Sequence, residues 1–108
     1  MADSEPRIAP RKVLRCRAKV MINGGRPPLI GRTVDISISG LCVMLESPLV
    51  AGESCVIAFE APVNGTMRKI MVSAKAVYSI YGGEGFRTGF QFVQLDAANT
   101  SIINQLVR

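Results

Sequence analysis

From Arg15 the chain alternates between apolar and polar residues, and that period of two dominates the sequence as far as Leu95. Cys16, Ala18, Val20 and Ile22 fall on one side, and Arg15, Arg17, Lys19 and Met21 on the other. Such alternation marks a strand with one buried face. The pattern recurs between glycine- and proline-rich breaks and predicts six strands, over residues 15–22, 29–38, 41–45, 54–60, 67–81 and 86–95. Asn64-Gly65 is a hairpin signal between the fourth and fifth strands. In the second strand Val34, Ile36 and Ile38 are expected inside, with Asp35, Ser37 and Ser39 outside. In the fifth, Ile70, Val72, Ala74, Ala76, Tyr78 and Ile80 are expected in one register. At Asp96, a good N-cap, the period changes: Ile102, Ile103, Leu106 and Val107 make a helical stripe over 97–107.

Short, evenly spaced strands with glycine turns favour a closed antiparallel barrel, and the helix is expected to cover one open end. The fold class is therefore all-β with a C-terminal helix, a six-stranded barrel in a single domain over 11–108. The 108 residues suffice for one core without metal or disulfide. Residues 1–10, with Pro6, Pro10 and several charges, read as a flexible N-terminal arm ahead of the basic motif.

Charge is placed unevenly. Residues 1–32 hold eight cations and two anions, whereas residues 33–108 hold five cations and six anions. A positive N-terminal third suits an anionic partner such as a nucleotide. The three cysteines, Cys16, Cys42 and Cys55, are odd in number and lack metal-ligand spacing, so reduced thiols and no metal site are expected. No apolar run approaches the roughly 20 residues of a membrane span, and the N-terminus lacks the apolar core of a secretory signal, which points to the cytoplasm. The chain has no histidine, the commonest general base, and no carboxylate pair. An enzyme is not expected.

Two motifs carry the chemistry. RKVLR, at 11–15, sets Arg11 and Arg15 four residues apart, and a guanidinium binds phosphate or the O6/N7 edge of guanine in bidentate fashion. DISISG, at 35–40, offers the Asp35 carboxylate, which can accept from the N1–H and N2–H₂ of guanine, and the Ser37 hydroxyl. Gly40 supplies either a positive φ or a close backbone approach. The same motif also reads as a strand-end turn held by side-chain to backbone bonds. Arg7, four residues before Arg11, and Lys12 and Arg87 are secondary candidates. Tyr78 and Tyr81 read as barrel and rim residues rather than stacking platforms, and Phe86, Phe90 and Phe92 as core.

In this order, before and within a six-strand pattern, the two motifs resemble those of the PilZ domain family, RxxxR followed by [D/N]xSxxG. The segment FRTGFQF at 86–92 also looks like that family's last strand. The resemblance implies a receptor for cyclic di-GMP, with no other cofactor. Arg11 and Arg15 would contact phosphates and guanine faces, Asp35 and Ser37 would contact guanine, and Gly40 would make room at the backbone. The ligand would bind as one molecule or as an intercalated dimer. Its arrival would reorder the N-terminal arm and signal to a downstream protein in motility or exopolysaccharide control. The competing reading is a small barrel for single-stranded nucleic acid, which the shortage of surface aromatics disfavours.

Overall fold

The computed structural model describes residues 10–108. The expected arm, 1–10, and with it Arg7, lies outside the described residues except for Pro10. Seven strands and one helix run in chain order: β1 Lys12–Val13, β2 Arg17–Ile22, β3 Leu29–Ile36, β4 Gly40–Leu45, β5 Ser54–Val63, β6 Thr66–Tyr81, β7 Phe86–Phe92 and α1 Ala97–Leu106. All pairings are antiparallel. The sheet runs β1-β3-β2-β5-β6-β7-β4, and a further β3–β4 pairing closes β2 to β7 into a six-stranded barrel. Closure removes the open edges that a sheet of this size would otherwise expose. β1 is the extra strand, a two-residue ribbon laid against β3.

The alternating apolar residues of each strand fill the interior. Val20, Ile36, Leu41, Val43, Ile57 and Ile70 are almost wholly shielded from solvent, and each such side chain contributes about 1.5–3 kcal/mol. The β5–β6 hairpin turns through Asn64 and Gly65, at φ 53° and 80°, the left-handed pair that matches the strand twist. The Asp96 carboxylate accepts from the Asn99 amide at 2.7 Å and caps α1. Ile102 and Ile103 then enter the interior cluster, with Leu106 and Val107 packed against it. Two side-chain bonds tie the helix down: Asn64 Nδ2 donates to Gln105 Oε1 at 2.8 Å and Asn99 Nδ2 to the Met71 carbonyl at 2.9 Å.

Three details depart from simple alternation. β2 begins at Arg17, not Arg15, because residues 14–16 form an irregular stretch between β1 and β2 that stays bonded to β3. β3 ends at Ile36, so Ile38 is half exposed rather than inward. In β6, Tyr78 and Ile80 point outward, because the register slips between Ala76 and Tyr78.

The free cysteines Cys42 and Cys55 are buried and Cys16 is partly so. Burial, reinforced by the nearby Glu53 carboxylate, pushes the Cys55 thiol from 9.0 up to about 11. As pH rises, the unfolded chain therefore releases this proton before the folded one does. The stability tied to Cys55 is full below pH about 9 and is lost progressively as the pH rises to about 11. Urea denaturation at about pH 8 and about pH 11 should show that decline, and Cys55→Ala should flatten it.

Candidate functional site

Thr33 and Ala76 face the interior, so strict alternation would send Asp35 and Tyr78 inward as well. Two β-bulges prevent this. The β3–β4 register shifts between Thr33 and Asp35, and the β6–β7 register between Ala76 and Tyr78. Each shift flips the phase of its strand. Asp35 and Tyr78 consequently emerge on the outer face, in one row across five strands: Val13, Asp35, Cys42, Gly89, Tyr78.

The row is tightly built. A Cβ on Gly89 would lie 2.3 Å from the Tyr78 ring, so the ring can lie on the strand only because a glycine is there. Beside it Cys42 is 2 % exposed although it stands outside the barrel core. Burial pushes the Cys42 thiol up, and the Asp35 charge adds to the rise. Burial, followed by the neighbouring Cys42, likewise raises Tyr78, while Arg11 pulls it down.

Arg11 meets Asp35 directly, with Nη1 donating to Oδ1 at 2.7 Å. The side chains are 45 % and 24 % exposed, and an ion pair this open contributes no more than about 1 kcal/mol. Its geometry is set by the backbone. Lys12 and Val13 pair with Ile36 and Asp35, and the Leu14 amide donates to the Val34 carbonyl at 3.1 Å. Buried Thr33 then pins both sides of Arg15. Its hydroxyl donates to the Leu14 carbonyl and accepts from the Cys16 amide at 2.9 Å, while its own amide donates to the Cys16 carbonyl at 2.8 Å. Arg15, held between these anchors, lines a groove of about 800 Å³ together with Arg17, Arg32, Arg87, Glu46 and Glu84.

The sequence model of the PilZ domain family matches residues 4–108. This chain is a PilZ domain. Among solved structures, it is similar to the PilZ domain of YcgR from Escherichia coli, determined with c-di-GMP. There the TM-score is 0.73 and the identity 15%, over 95% of this chain and 89% of that one. It is also similar to the PilZ domain of CeSA from a cellulose-synthesizing bacterium, at TM-score 0.63 and 19% identity, over 90% and 93% of the two chains. The Bacillus subtilis inhibitor of motility, MotI/DgrA, gives TM-score 0.76 at 16% identity over 94% of this chain. The present PilZ domain spans about half of that protein, 49% of its length. At these identities the likeness is one of fold. No curated protein matches the chain.

The residues singled out in the sequence separate into two groups in this PilZ domain. Arg11 and Asp35 are brought together, and Arg15 and Arg87 share the groove. Lys12 lies exposed in β1. Ser37 does not share an outer face with Asp35. It is 1 % exposed, because β3 ends at Ile36 and Ser37 turns into the β3–β4 connection. There its Oγ accepts from the amides of Ser39 at 3.1 Å and Gly40 at 3.2 Å, and its amide donates to the Gly40 carbonyl at 2.9 Å. This is the strand-end turn reading of the motif. Gly40 serves close approach: a Cβ there would stand 2.2 Å from the Phe90 carbonyl oxygen of β7, and its φ is not in the left-handed region.

Sequence reasoning missed Cys42 and Gly89 and placed Tyr78 in the barrel wall. The glycine within FRTGFQF was the available sign. Among the described residues, no group of histidine, cysteine, aspartate or glutamate side chains could hold a metal ion, and no helix is long and apolar enough to cross a membrane.

Two substitutions test this construction. Ser37→Ala leaves two amides in the turn without an acceptor and should cost about 1 kcal/mol or more in urea denaturation. Thr33→Val should accelerate hydrogen exchange at the Cys16 amide well beyond any change in the barrel strands, because only the anchoring of residues 14–16 is lost.

Proposed function

We propose that this PilZ domain is a non-enzymatic receptor for cyclic di-GMP, with the outer face of β3, β4, β7 and β6 as its binding surface. The Arg11–Asp35 pair carries the reading. A carboxylate and a guanidinium held 2.7 Å apart on an exposed face offer the two groups that recognise a guanine nucleotide. The carboxylate accepts from N1–H and N2–H₂, and the guanidinium donates to O6/N7 or to phosphate. Family membership and the c-di-GMP-bound YcgR domain of the same fold support it.

Binding then becomes an exchange of partners. In the free domain Asp35 is satisfied by Arg11. An entering guanine takes over the carboxylate and releases Arg11 to the ligand, and because the open pair is worth so little its loss is a small penalty. Arg15, fixed by the Thr33 bonds on either side, meets a phosphate with little further ordering. Tyr78, flat on Gly89 at the end of the row, offers an aromatic surface beside the guanine edge. Ser37 and Gly40 act one step back: they shape the turn that brings β4 alongside β3. Lys12 adds positive potential, and Arg7, outside the described residues, would join only through the arm.

The consequence is a change in the N-terminal segment. Loss of the Arg11–Asp35 contact loosens the hold of β1 on β3, and the arm ahead of it takes a new course over the ligand, presenting a new surface to a downstream protein. The name of the MotI protein, an inhibitor of motility, makes motility control a fitting output, with exopolysaccharide control the other. The domain would act in the cytoplasm, where the free thiols of Cys16, Cys42 and Cys55 stay reduced. A single ligand and an intercalated pair both suit the face, and titration stoichiometry separates them.

Isothermal titration provides the test. Cyclic di-GMP should bind at micromolar or tighter affinity, with GTP much weaker. Arg15→Ala and Asp35→Ala should each cost at least about 1.5 kcal/mol, the scale of a charged hydrogen bond. If both variants bind like the unaltered domain, the site is misplaced.

A further inference from the structure

Next to the row that holds Asp35 and Tyr78 runs a second one on the same outer face: Arg17, Arg32, Met44, Arg87, Ile80. Cys42 and Met44 are two residues apart on β4, as are Gly89 and Arg87 on β7, so the rows are roughly 7 Å apart. Arg17 and Arg32 stand directly opposite one another on β2 and β3, both exposed. Like charges in that position destabilise a sheet. Elsewhere the barrel does the reverse: Glu60 and Lys69, also in register across β5 and β6, pair opposite charges. Among the described residues, neither Arg17, Arg32 nor Arg87 forms a salt bridge, the three ion pairs being Arg11–Asp35, Arg26–Glu53 and Lys69–Glu60. Together with Arg15 they surround the groove of about 800 Å³, which Glu46 and Glu84 also line. Four guanidiniums against two carboxylates leave it a net positive charge.

We infer that Arg17 and Arg32, which belong to neither motif, form with Arg87 a phosphodiester-binding row that continues the site from Arg15. This rests on the reading of the domain as a cyclic di-GMP receptor. The row gives that site a second register of guanidinium donors, so a ligand whose base is read at Asp35 lays its phosphates across the groove beside it. An unfavourable arginine pair is kept in the free domain and is relieved when the anion arrives. The two glutamates restrict the groove to a compact anion, since a long phosphate backbone would have to run past them.

The test is titration of cyclic di-GMP into the unaltered domain, Arg17→Ala, Arg32→Ala and the double variant, at low and at moderate salt. Each single change should weaken binding about tenfold. The double variant should show a clearly shallower loss of affinity with salt. The ligand-free melting temperature of each should stay level or rise, because a repulsion has been removed. Variants that bind as tightly as the unaltered domain, or whose melting temperature falls in step with affinity, overturn the inference and leave the receptor reading standing. Failure of the unaltered domain to bind cyclic di-GMP overturns both.

Discussion

The bulge between Thr33 and Asp35 sets the direction of the Asp35 carboxylate and, with it, the arrangement of the whole outer face. On one side of the irregularity Thr33 points inward and anchors residues 14–16. On the other, Asp35 points outward and meets Arg11. A strand of uniform phase could do one of these things but not both, because residues two apart share a face. The slip therefore lets a buried hydroxyl and a surface carboxylate, two residues apart, grip the same N-terminal segment from both faces of the sheet.

The two holds differ in kind. The Thr33 bonds are shielded from water and are costly to break without replacement. The Arg11–Asp35 pair is open to solvent and cheap to exchange. The segment thus has a firm attachment at residues 14–16 and a weak one at Arg11, which suits a hinge whose outer end a ligand can move. The bulge in β6 performs the matching task across the sheet, bringing Tyr78 out over Gly89 where alternation would have sent it into the core.

The barrel was largely legible in the chain. Alternation in β2, β5 and the first part of β6 places Val20, Ile57 and Val72 inside, because one residue type repeats on one face over several turns of the pleat. Asn64-Gly65 and Asp96 announce their turn and cap by local chemistry alone. The motif residues Arg11, Arg15 and Asp35 were legible too, as charged groups in a distinctive order. Ser37 was misread as outward because β3 ends one residue before it and the chain turns there. Tyr78 and Ile80 were misread as inward because they lie beyond a register slip, and a slip is set by pairing with a distant strand.

Local preference, then, was enough to settle the strands, the turns, the capped helix and the supply of cations near the N-terminus, since each depends on neighbours close along the chain. Closure of β3 on β4, the two phase changes, and the alignment of Asp35, Cys42, Gly89 and Tyr78 arise from contacts between residues far apart along the chain. The same holds for Arg17 opposite Arg32. These features appear only when the barrel closes, because register is fixed by the partner strand and not by the residues that carry it.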